Sequence, residues 1–122
     1  MKTSLDHLPE AKQQDVQTIV TLLRNKFDTY LASRTGKKAS HLILKIILFG
    51  SHAKGTWVDD PQNGYISDYD ILIIVNNDSL VEEYGLWGTA ADMIQRRINS
   101  PLSLIIHSLK ATIFSQTFAH KA

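Results

Sequence analysis

The chain has 122 residues and a near-balanced charge, 13 Lys and Arg against 12 Asp and Glu. That length sets an expectation of one domain with a small core, and the balance gives no push toward nucleic acid or an anionic membrane as the main partner. The chain has no cysteine, which excludes disulfides and thiolate metal sites, and its longest apolar run, residues 42–49, is far short of the roughly 20 residues of a bilayer span. With no apolar signal-peptide core near Met1, the expectation is a soluble cytoplasmic protein.

Pro9 suits a first helical turn. Val16, Ile19, Val20, Leu23, Phe27, Tyr30 and Leu31 then recur at three- and four-residue steps. The spacing predicts an amphipathic helix over about 9–34 that covers a sheet, with Gly36 as its stop. Arg34, Lys37 and Lys38 read as a solvated basic loop, with no interleaved aromatics for base stacking. Residues 42–49 form a first strand, rich in Ile and Leu. Residues 56–66 form a loop whose Pro61, Asn63 and Gly64 are turn chemistry. Residues 69–75 are apolar almost throughout, as in a central strand covered on both faces.

After a turn at 76–78, Ser79 and Glu82 have the spacing of a capping box. Leu80, Tyr84, Trp87, Ala91, Ile94 and Ile98 continue as one helix, weakened by Gly85 and Gly88 and stopped at Pro101. Residues 102–107 form a third strand, with Leu102, Leu104 and Ile106 on one side and Ser103, Ile105 and His107 on the other. The tail, 108–122, reads as a short helix or a poorly ordered segment. The resulting class is α/β (α+β): a small mixed sheet flanked by helices, in a single domain over 1–122.

Two short patterns carry chemistry. Asp68 and Asp70 stand one residue apart at the start of a strand. Period-2 alternation sends both side chains to one face, with Cα atoms about 6.5–7 Å apart, and Tyr69 to the other. Two such charges repel by about 2–3 kcal/mol at an effective dielectric near 20. No basic residue lies in 61–75 to relieve them. Carboxylate oxygens suit Mg²⁺, although one Asp capping a turn and the other solvated would give the same pattern. Gly50 and Ser51 directly follow the first strand, where a glycine lets backbone N–H groups approach an anion and the Ser51 hydroxyl can donate to a phosphate. Lys54 adds a charge one turn further on if a short helix begins here. An ordinary strand-to-helix turn would look the same. His7, His41, His52 and His120 show no metal-ligand spacing.

Taken together, Leu48-Phe49-Gly50-Ser51-His52-Ala53-Lys54-Gly55 and Ser67-Asp68-Tyr69-Asp70-Ile71-Leu72 resemble the signature of the DNA polymerase β-type nucleotidyltransferases. The closest branch is the minimal nucleotidyltransferases (MNT), and the resemblance covers roughly residues 42–107. It implies an ATP-type nucleotide held by Gly50 and Ser51, with Lys54 in the basic position. It also implies Mg²⁺ held by Asp68 and Asp70 as the catalytic carboxylates, in two-metal fashion. Relatives of this kind often pair with a HEPN-domain protein, as antitoxin to its toxin. The resemblance makes such a partner an expectation here.

Three departures stand against the family pattern. The loop over 56–66 is longer than many members have, and Lys54 stands where Arg is frequent. The third carboxylate of active members is missing, with Ser103 in its expected place. His107 shares that strand face and is the one residue in view as a substitute base, although a histidine near a strand end more often packs or faces solvent. Two readings therefore stay open. One is transfer of a nucleotidyl group, AMP above all, to an acceptor; the other is a catalytically inactive nucleotidyltransferase-like binding module. The chain's end soon after the third strand adds the expectation that it needs a partner or lacks a downstream domain.

Overall fold

A computed structural model describes residues 5–33 and 41–109. Helix α1 (Glu10–Ala32) begins directly after Pro9. Strand β1 (Ile43–Phe49) runs into the single helical turn α2 (Gly50–Lys54). A small hairpin follows, with β2 (Asp59–Asp60) and β3 (Tyr65–Ile66) joined by a 3-10 turn over Pro61–Asn63. Strand β4 (Tyr69–Val75) leads to α3 (Asp78–Val81) and α4 (Tyr84–Ile98), and β5 (Leu102–Ser108) closes the described chain.

The sheet order is β1-β4-β5. β1 pairs antiparallel with β4, and β4 pairs parallel with β5. This is the mixed sheet the sequence predicts. The parallel pair needs a crossover, which α3 and α4 supply. One face of the sheet carries Ile71, Ile73 and Val75 from β4 and Leu102, Leu104 and Ile106 from β5. These pack with Val16, Ile19, Leu23 and Phe27 of α1 and with Trp87, Ala90 and Ile94 of α4. The other face carries Asp70, Leu72 and Ile74, beside Ile47 and Phe49 in register on β1 and Ser103 and Ile105 on β5. Leu72 and Ile74 are buried there too, so β4 is the central strand, apolar and buried on both faces, that its apolar run implies.

Two features differ from the sequence expectation. The helix expected from Ser79 to Ile98 is two helices, and the cap is Asn77 rather than Ser79. Asn77 Oδ1 accepts from Ser79 N at 2.9 Å and from Ser79 Oγ at 2.8 Å, so the serine hydroxyl is spent as a donor to the true cap. The indole of Trp87 donates to the Leu80 carbonyl at 2.7 Å, joining the Glu83 N–H at 3.2 Å on an acceptor that a continuous helix would have given to its residue four places on. The break also turns Tyr84 outward, to 73% exposure, although its spacing places it in the apolar stripe. The second difference is the hairpin within 56–66, where only a loop is expected. Gly64 closes its turn at φ +80°. Gly36, the basic residues Arg34, Lys37 and Lys38, and the tail from 110 onward lie outside the described residues.

Ile73 is completely buried at the centre of β4. Ile73→Ala should cost about 2–5 kcal/mol, through lost transfer energy and the cavity left behind. Urea unfolding would read this as a lower midpoint at unchanged slope.

Candidate functional site

The two motifs meet at one end of the sheet. In register, Phe49, the last residue of β1, lies opposite Asp70 of β4, so the turn that begins at Gly50 is delivered to the carboxylates by strand pairing alone. Gly50 has φ +71°, a left-handed conformation that favours glycine. A Cβ at this position would collide with Asp70 Oδ2. Gly50 therefore lets the turn close directly over the Asp70 carboxylate. α2 then runs for one turn and stops at Gly55, also left-handed, whose N–H donates to the Ser51 carbonyl at 2.9 Å. Ser51, the next residue of the turn, is half-buried, and Lys54 is exposed at its far end.

Asp68 precedes β4 and is exposed; Asp70 is its second residue and is half-buried. Burial, and then the negative charge of Asp68, push the Asp70 carboxyl above the ordinary carboxylate range, with His52 opposing them. A carboxylate pair held this way favours a bound cation. Its hard oxygens fit Mg²⁺, which takes one or two protein carboxylates and completes its shell with water and substrate phosphates. No cluster of three or more acidic, histidine or cysteine ligands occurs among the described residues. Any metal here would therefore lean on substrate oxygens.

The position beside Asp70 on the parallel neighbour is Ser103, the place at which the family resemblance led to the expectation of a third acid. His107 pairs with Ile74, four residues further along β5. At about 3.3 Å per residue that is about 13 Å from the Asp70 level, so His107 cannot serve as the substitute base.

Under the carboxylates lies a cluster that the sequence did not reveal. His52 is completely buried, between the ring of Tyr69 (centroids 4.2 Å apart) and that of Trp57 (5.8 Å). Its Nδ1 lies 2.9 Å from the Asp68 carbonyl oxygen, which can only accept, so Nδ1 carries the proton. Nε2 is then left to accept from the Lys12 ammonium at 3.2 Å. Burial first, and also the Lys12 charge, hold the imidazole below its ordinary pKa, against the donation to Asp68 that favours protonation. Lys12 also pairs with Asp59 Oδ2 at 3.1 Å and lies over the rings of Trp57 and Tyr69. Tyr69 donates its hydroxyl to Asp15 Oδ2 at 2.8 Å; burial and this carboxylate push the phenol far above its usual pKa. His7 Nε2 donates to the His52 carbonyl at 2.8 Å. Through these contacts α1, α2, the hairpin and β4 converge on one imidazole. The sequence hints at it only through Tyr69, which strand alternation turns away from the Asp pair.

A family model described as "Nucleotidyltransferase domain" matches residues 30–98, more than half of the chain. The matched region contains Gly50, Ser51, Lys54, Asp68 and Asp70 and stops short of β5 with Ser103. No curated protein and no solved structure matches the chain.

Two stability outcomes follow from the geometry. Gly50→Ala should destabilise the fold, because it adds a Cβ against Asp70 and strains φ; the thermal midpoint reads this. Asp70 binds its proton more tightly folded than unfolded, so the folded state gains protons between the ordinary and the raised pKa. Stability then falls as pH rises through that window, and the ionised carboxylate weighs against the fold at neutral pH. Asp70→Asn should accordingly melt above wild type at pH 7 in metal-free buffer, with the difference shrinking as the pH falls from the raised value to the ordinary carboxylate value and levelling off below it.

Proposed function

Because the chain belongs to the nucleotidyltransferase domain family, we propose that it binds an ATP-type nucleotide at the Gly50–Asp70 junction and transfers its nucleotidyl group, AMP, to an acceptor hydroxyl. The observation that carries this reading is the closure of the Gly50 turn over the Asp70 carboxylate, which sets an anion-binding turn against a cation-binding pair. Such opposition suits a nucleoside triphosphate with its metal. The Gly50 turn approaches the phosphate chain with backbone N–H groups, the Ser51 hydroxyl donates to a phosphate oxygen, and Lys54 supplies a charge at the rim. Asp68 and Asp70 hold Mg²⁺, which when bound neutralises charge on the phosphates and favours in-line displacement. In the transfer, the acceptor oxygen bonds to the α-phosphorus, the bond from that phosphorus to the bridging oxygen breaks, and pyrophosphate leaves. The acceptor proton has no carboxylate beside Asp70 to receive it, because Ser103 stands there.

That serine favours a second reading, a nucleotide-binding module without turnover. Either reading accommodates a HEPN-domain partner, as the acceptor or as the protein bound. Transfer of label from α-³²P-ATP with Mg²⁺, assayed with candidate acceptor proteins, separates the two. The enzyme reading expects labelled acceptor, and a fall of at least about 100-fold in Asp70→Asn, since loss of a group that stabilises transition-state charge costs that much. ATP binding without transfer to any acceptor would leave the binding module standing. Absence of both would remove the nucleotide reading altogether.

A further inference from the structure

The mechanism above makes no use of the most heavily constrained side chain near the site, His52. It is buried, stacked on two rings and hydrogen-bonded at both nitrogens. We propose that His52 is a positioning residue for the carboxylate pair. Its Nδ1–H holds the Asp68 carbonyl and so fixes the backbone from which Asp68 and Asp70 project, while Lys12 on Nε2 keeps the proton on Nδ1. This rests on the reading of Asp68 and Asp70 as metal ligands.

The geometry favours this role over simple core filling. A side chain there only to fill volume needs no polar atoms, and burying an imidazole is unfavourable unless both nitrogens are satisfied. His52 spends one nitrogen on the residue that begins the carboxylate pair and the other on an ammonium that is itself tied to Asp59 of the hairpin. The peptide carbonyl of Asp68 lies immediately before Tyr69, whose ring packs against the same imidazole. The chain is thus clamped on both sides of the peptide bond that separates the Asp68 side chain from β4. Tyr69 is anchored in turn by Asp15 on α1. The carboxylates face away from this clamp, so His52 acts on them through the backbone and need not touch a ligand.

The test is Mn²⁺ binding, followed by the electron paramagnetic resonance of free Mn²⁺, on wild type and on His52→Asn, His52→Gln and His52→Leu, each with its thermal midpoint. An asparagine amide nitrogen can take the place of Nδ1, whereas a glutamine amide reaches the place of Nε2. The two variants match in polarity and differ in which bond they restore. Positioning predicts Mn²⁺ affinity about 10-fold or more weaker in His52→Leu and His52→Gln, as for other residues that orient metal ligands, and largely regained in His52→Asn. If His52→Leu fails to fold, the Asn and Gln variants decide the matter. Equal Mn²⁺ affinity in the Asn and Gln variants, or wild-type affinity in a folded His52→Leu, overturns the positioning role and leaves the metal reading intact. A wild-type protein that binds no Mn²⁺ overturns both.

Discussion

The structure depends on β4 being a buried strand that begins with charge. A central strand buried on both faces must be apolar on both, and Ile71 to Val75, between β1 and β5, meet that demand. Asp68 and Asp70 come just before the apolar run, at the end of the sheet where β1 delivers its turn. The strand fixes the carboxylates rigidly because the rest of it cannot slip. A one-residue register shift would send Ile71 and Ile73 out of the main core and Asp70 into it.

Much of this was legible in the sequence. The three strands of the sheet, the first helix and the central position of β4 follow from periodicity and turn chemistry, and the meeting of the Gly-Ser turn with the Asp pair is what the family resemblance implied. Those rules rest on local backbone geometry and on burial. The split of α3 from α4 was not legible, because the capping pattern at Ser79 and Glu82 is sound as far as it goes. What decides against it is Asn77 two residues upstream, together with a tertiary bond from the Trp87 indole to the Leu80 carbonyl. The His52 cluster was hidden for a different reason. Its members come from α1, α2, the hairpin and β4, and Lys12 and Asp59 read as ordinary polar surface until the chain is folded. Only Tyr69, in the alternation of its strand, showed in advance which way it faces.

The register also gives the missing acid a structural meaning. Ser103 lies directly beside Asp70 in the parallel pair, so the gap arises from residue type and not from a displaced strand. The backbone sets position 103 next to Asp70, and the side chain there is a hydroxyl and not a carboxylate. His107, on the same face of β5, is removed by distance along the strand. The proton of the acceptor must then leave by another route, through the acceptor itself, through water or through a group brought by a partner, unless the site only binds.

The two tryptophans of the chain are divided between regions of different character. Trp87 lies in the core, ring-stacked near Phe27 and bonded through its indole to Leu80. Trp57 lies over His52 with the Lys12 ammonium 5.4 Å from its ring, at the root of the hairpin. The molecule's intrinsic fluorescence therefore divides into two channels. Both respond to global unfolding; Trp57 also lies within reach of the Lys12 charge and the His52 cluster. Replacing Trp87 with phenylalanine would leave Trp57, beside His52, as the single tryptophan emitter, without any attached dye.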